Sequence, residues 1–344
     1  MIRINRRTVL GGFASVAAFP GFAAATGERP DSITVTAFAG PWETVSRDVF
    51  GKDFTRRTGV PVNISIGAPA QWMTQIDANR EKPPLHVLIN SIDLALIAAK
   101  DGLVEEISQS KVSNLQYVPQ KFTDMCKGFG TCVDYGTAGI VYHKRVENPP
   151  KSMKEFVEGT IAGKWRASLP GVGYQATKEL LIWNLADVLG GSVDNVDPAF
   201  KAIKEMSKNA VFFNSVNQVI QHLQTGEADV GIMFDGRVWT EIDAGADSLG
   251  FINPAEGGII SPIVVQKVKN SPEIAWDYIN GMLDTANQTE FAKIVPYGMT
   301  NRNTVYSATA QSRITDPKDT RWPPFEEIGP RVTEWLDRWN RELG

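Results

Sequence analysis

Ile33-Thr34-Val35-Thr36-Ala37-Phe38, Val62-Asn63-Ile64-Ser65-Ile66 and Leu85-His86-Val87-Leu88-Ile89 are three short runs whose spacing decides the fold. Each reads as a strand: the first and third are mostly apolar, and the second alternates apolar with polar residues, the pattern of a half-buried strand. Between the first two, Val45, Val49, Phe50 and Phe54 recur at helical spacing after Gly40-Pro41 and stop at Gly59. A second helix, 71–79, precedes Pro83-Pro84, and Asn90-Ser91 offer caps for a third that Gly102 closes. This alternation predicts a mostly parallel sheet with helices on both faces.

The plan then repeats. Strands are predicted at 139–143, 165–169, 211–213 and 230–234. Between them, Ser152-Met153-Lys154-Glu155 and Asp197-Pro198 open helices, and Val216, Val219, Ile220 and Leu223 mark an amphipathic one. A strand at 259–265, a helix from Ser271-Pro272 and the Pro296-Tyr297-Gly298 loop follow. That stretch is too short for a core of its own and is expected to return to the first unit. The expected division is 31–137 with 259–303 as one lobe and 138–258 as the other. Residues 304–344 carry the stripe Val332, Trp335, Leu336 and Trp339, with no lobe assigned.

Composition removes several function classes. The 344 residues are 42% hydrophobic and 22% charged, with no low-complexity tract, and no internal apolar run nears the ~18 residues of a membrane span. Thirty-five basic against thirty-nine acidic residues give −4, the wrong sign for a nucleic-acid surface. Of the two cysteines and three histidines, His86, His143 and His222, none of the histidines has a visible partner, and no metal site is expected. No G-x-S-x-G, H-E-x-x-H or phosphate-binding glycine loop occurs, so neither an enzyme nor a cofactor is predicted. His222 is expected on the exposed side of its helix.

The N-terminus reads as an export signal over 1–25. Arg6-Arg7 precede the moderately apolar 9–19, and Ala23-Ala24-Ala25 suit a signal peptidase. The paired arginines favour the twin-arginine route, so the mature chain is expected free in the periplasm. In that oxidising space Cys126 and Cys132, which bracket Lys127-Gly128-Phe129-Gly130-Thr131, are expected to form a disulfide across a hairpin tip.

The chain resembles the type II periplasmic solute-binding proteins of ABC importers, within the extracellular solute-binding family that includes the spermidine- and putrescine-binding proteins. The resemblance rests on Phe38-Ala39-Gly40-Pro41-Trp42, Phe54-Thr55-Arg56-Arg57-Thr58-Gly59-Val60, Asp101-Gly102-Leu103-Val104, Gly139-Ile140-Val141-Tyr142, Gly226-Glu227-Ala228-Asp229-Val230-Gly231 and Pro296-Tyr297-Gly298, in that order. It implies two α/β lobes joined by crossing strands, a small-molecule solute in the cleft, and an inner-membrane permease that reads the closed form. A monomer without a nucleic-acid partner is expected.

Candidate ligand-binding residues stand where strands end, since solutes in open α/β sheets bind there. They are Gly40 and Trp42, Asn90 and Ser91, Tyr135, Tyr174, Ser215 with Asn217, Asp235 and Arg237, and, by resemblance, Ser261 and Tyr297. Asp235-Gly236-Arg237 is the sharpest of these: the acid could take an ammonium and the arginine hold a carboxylate bidentately. The polyamine receptors carry Trp-x-Asp where this chain reads Ser261-Pro262-Ile263. Losing that acid removes a counterion for a dication, which favours an amino-acid-like zwitterion such as 4-aminobutyrate. An exported enzyme and a polyamine receptor are the alternatives.

Overall fold

A computed structural model describes residues 29–343; the segment read as an export signal lies outside the described residues. Among these, eleven strands join in one sheet. In chain order they are Ile33–Ala37 (β1), Val62–Ile66 (β2), Val87–Ser91 (β3), Thr131–His143 (β4), Ala167–Pro170 (β5), Ala210–Phe213 (β6), Val230–Phe234 (β7), Leu249–Ile252 (β8), Gly258–Lys267 (β9), Gly298–Met299 (β10) and Thr320–Arg321 (β11). The main path runs β2-β1-β3-β9-β4-β7-β5-β6. At one end β1 pairs parallel with β2 and β3, and at the other β5 pairs parallel with β6 and β7. In the middle β4 and β9 are antiparallel to each other, β9 to β3 and β4 to β7. The chain is thus the expected α/β fold, parallel in each half, with two long antiparallel strands between.

Two large hydrophobic cores lie on this frame. One collects Ile33, Val35, Phe50, Phe54, Val87, Val133, Val264 and Phe291; the other collects Ile140, Val141, Leu169, Phe200, Ile203, Phe213, Val230 and Ile232. Strand β4 contributes Tyr135 to the first core and Ala138 to the second, while β9 passes from Ile259 in the second to Ile260 in the first. Between the cores Tyr135 stands opposite Pro262, Gly136 opposite Ser261 and Thr137 opposite Ile260. The sequence reading found β4 only from Gly139, because Asp134 and Gly136 interrupt its apolar pattern.

Residues past 303 touch both cores. Tyr306, Ile314, Trp322 and Phe325 pack on the first; Ile328, Trp335 and Trp339 are buried in the second. Helix Val332–Glu342 thereby docks by its apolar stripe, with Trp339 edge-on to Phe212 at 5.6 Å and Arg338 bonded to Asp197 at 2.6 Å.

Two expectations are corrected. Cys126 and Cys132 are free, buried thiols, not a disulfide. They do not clip a hairpin: helix Lys121–Asp124 leads through the turn at 125–130 into β4, and both Sγ atoms donate to the Phe122 carbonyl, at 3.4 and 3.3 Å. His222 is not on an exposed face. Its helix, Val216–Thr225, lies against β5, and Nδ1 meets Ser168 Oγ at 2.9 Å.

Candidate functional site

The site is built where β4 and β9 pass between the cores. Gly136 lacks a side chain there, and a Cβ would come within 3.2 Å of Asp235 Oδ1 and 3.9 Å of the Tyr297 ring. Asp235 follows β7 and starts helix Asp235–Asp243. Its Oδ1 accepts from the backbone N–H of Thr137 at 2.9 Å and of Gly236 at 2.6 Å. Burial pushes the Asp235 carboxyl up to about 7, although both N–H bonds pull it down. Tyr297 lies on Gly236 so closely that a Cβ there would be 1.9 Å from the ring. Burial, with Asp134 and Asp235 nearby, raises the Tyr297 phenol well above its ordinary range, so it is a neutral hydrogen-bonding group.

Asp235 and Arg237 do not pair. Arg237 Nη2 contacts Glu241 Oε1 at 2.7 Å and Asn217 Oδ1 at 2.7 Å, and its buried Nε has no partner. The acid and the base of this motif are therefore held separately, each with capacity left for a bound group.

On the second core, Lys178 and Glu179 open the π-helical turn Lys178–Trp183, a distortion frequent at functional sites. Lys178 Nζ bonds Asp93 Oδ2 at 2.9 Å and the Gln175 carbonyl at 3.0 Å. Burial works against the ammonium, but Glu179 and Asp93 outweigh it and hold its pKa above normal. Burial also pushes Glu179 up to about 7, against Lys178, and its buried Oε2 has no hydrogen-bond partner. Tyr174 packs on Phe213 at 5.2 Å; burial, then Glu179 and Tyr297, raise its phenol.

The sequence-derived candidates separate into two groups. Ser91, Tyr174, Asp235, Arg237, Ser261 and Tyr297 fall around this region, with Ser91 Oγ donating to Asp93 at 2.5 Å and Ser261 opposite Gly136. The others stand elsewhere. Trp42 is buried edge-on to Phe291 at 4.9 Å in the first core, and Gly40 is the exposed residue before its helix. Asn90 is wholly buried and bonds Gln266 at 2.9 Å. Tyr135 stacks on Phe122 at 5.5 Å and donates to the Thr315 carbonyl at 3.2 Å. Ser215 is an exposed N-cap, closed by a reciprocal bond with Gln218.

Sequence reasoning missed Asp93, Asp134, Lys178 and Glu179. Asp134 is wholly buried, and neither carboxyl oxygen has a hydrogen-bond partner. A charged residue inside the apolar run Cys132-Val133-Asp134-Tyr135 was the available signal.

Comparison with known proteins agrees with this architecture. The chain superposes on an extracellular solute-binding protein from Bordetella parapertussis with TM-score 0.84 and 24% identity, covering 91% of this chain and 99% of that one. It superposes on a periplasmic binding protein from A. tumefaciens R10 in complex with agropinic acid with TM-score 0.68 and 19% identity, covering 91% and 98%. At these identities the likeness concerns the fold. A thiamine-binding periplasmic protein of Salmonella typhimurium is 26% identical over 61% of this chain and 63% of its own length, so the match spans under two thirds of that relative. A gamma-aminobutyric acid-binding protein of Pseudomonas aeruginosa is 23% identical over 83% of this chain and 81% of its own. The family model for bacterial extracellular solute-binding proteins matches residues 50–318, and with most of its length so covered the chain belongs to that family.

Proposed function

We propose that this protein is the periplasmic receptor of an ABC importer. Two lobes, 31–137 with 259–303 and 138–258, close about one small organic solute and present it, chemically unaltered, to an inner-membrane permease. The observation that carries this reading is the placement of Asp235 and Tyr297, with Arg237 close to Tyr297, beside the two long strands that continue from one core to the other. Crossing strands are suited to hinge motion, and closure changes a shape a partner can read. Export by the twin-arginine route and a monomeric state belong to the same reading.

The solute we favour is an amino-acid-like zwitterion. Asp235 and Arg237 carry opposite charge, are not neutralised by each other, and flank one glycine. The gamma-aminobutyric acid-binding relative supports the class, whereas Ser261 and Ile263 offer no acid at the positions where polyamine receptors have Trp-x-Asp. Isothermal titration with 4-aminobutyrate, thiamine, spermidine and glucose tests it. We expect saturable binding of the zwitterion and its recovery unchanged by chromatography. Binding of spermidine or glucose alone overturns the zwitterion; a turnover product overturns the receptor.

A further inference from the structure

We propose that Asp134 is the specificity-determining counter-charge for a cationic nitrogen of the solute, seated on the floor of the site beneath Tyr297. The inference rests on the receptor reading above and adds to it the residue that selects the charge. Opposed residues of paired strands share a face, and side chains alternate along a strand. Ser91 stands opposite Ile263, Ile263 opposite Asp134, and Asp134 opposite Met299. The next row on that face holds Ser261 opposite Gly136, the position that meets Asp235 and Tyr297. Asp134 therefore points to the side where the site lies. Its field and that of Asp235 both act on the Tyr297 phenol.

The charges around it are unbalanced. Asp134 and Asp235 are buried acids and Glu179 is a largely buried one, and Asp134 Oδ1, Asp134 Oδ2 and Glu179 Oε2 have no hydrogen-bond partner. Of the two nearby bases, Lys178 contacts Asp93 at 2.9 Å and Glu179 Oε2 at 3.8 Å, and Arg237 contacts Glu241 at 2.7 Å with its Nε left over; neither base faces Asp134 in these contacts. Burial alone holds the Asp134 carboxyl well above the carboxylate range, its own amide offsetting little. An acid so placed is stable only when protonated or faced by a cation. The neutral phenols of Tyr174 and Tyr297 add faces that attract an ammonium or an aromatic cation. A metal ion fits less well, since no three His, Cys, Asp or Glu side chains converge among the described residues.

Thermal-shift and calorimetric titrations of the full mature chain test this with 4-aminobutyrate and thiamine against butyrate, succinate and calcium chloride. Members of the first group are expected to bind and those of the second to fail. In Asp134→Asn and Asp134→Ser the affinity is expected to fall at least tenfold, while the solute-free melting temperature stays level or rises. Unchanged affinity in both variants overturns the proposal, as does tighter binding of butyrate, succinate or calcium; the receptor reading survives unchanged affinity or tighter binding of the two organic acids. A lowered melting temperature in both variants assigns Asp134 a structural role and also overturns it. Binding of no compound overturns both.

Discussion

Lys178 Nζ donates to Asp93 Oδ2 at 2.9 Å, and the two residues belong to helical segments that pack on different hydrophobic cores. The pair is largely shielded, with side-chain exposures of 14% and 28%. It is a charge-assisted hydrogen bond in a site of reduced dielectric, worth on the order of 1–3 kcal/mol. Asp93→Asn weakens this tie between the halves without changing side-chain volume. Small-angle scattering of the solute-free variant is expected to give a larger radius of gyration than the parent. Superimposable curves would mean that the pair does not hold the halves together.

The pH dependence of stability follows from Asp235 and Glu179. Burial raises each folded-state pKa to about 7, from ordinary values of 3.8 and 4.5. A raised acid binds more protons folded than unfolded, so its contribution is full at pH below the unfolded value and declines as pH rises toward the folded one. Without solute, the melting temperature is expected to fall between about pH 4 and pH 7 and then level off with respect to these two groups. Asp235→Asn should flatten the slope by roughly a third, with Glu179 and the likewise raised Asp134 supplying the rest. A parent curve that rises through this window refutes the assignment.

Gly236 and Tyr297 form the tightest contact of the site, since a Cβ on Gly236 would lie 1.9 Å from the ring. Gly236→Ala forces the ring aside, an overpacking worth about 1–3 kcal/mol. The gain in helix propensity, about 1 kcal/mol, offsets part of this. Solute affinity should drop at least tenfold. Combining it with Tyr297→Ala should restore stability but not affinity, which denaturant melts and titration read separately. Equal losses in the single and double variants would place the strain elsewhere.

The thiols give a direct chemical check. Cys126 and Cys132 are buried and free; burial, then the neighbouring Cys126, raises the Cys132 thiol well above its ordinary value. Buried, protonated thiols react slowly. Ellman titration is expected to count two thiols in the denatured, unreduced protein and almost none in the native one. A count of zero after denaturation would restore the disulfide.

Much of the fold was legible because its signals are local. Val62, Ile64 and Ile66 alternate, and Val216, Val219, Ile220 and Leu223 follow helical spacing. Ser215 caps its helix as its type predicts, and Gly59 closes another with φ +69°. Asp235-Gly236-Arg237 stood out as a motif, yet its partners, Thr137, Asn217 and Glu241, were not predicted. Trp42 shows the limit: an aromatic after a strand was read as a cleft ring. Its burial against Phe38 and the distant Phe291 is set by tertiary packing.

By itself the sequence determined most of the order of strands and helices and the repeat of an α/β unit, both properties of neighbours along the chain. Tertiary structure alone decided that β4 and β9 pair across two cores, that Asp93 meets Lys178, and that Asp134 is enclosed without a partner. The physical reason is distance along the chain. Pairing register, burial and the field at a carboxyl depend on residues far apart in sequence, and no periodicity within one segment encodes which of them arrive.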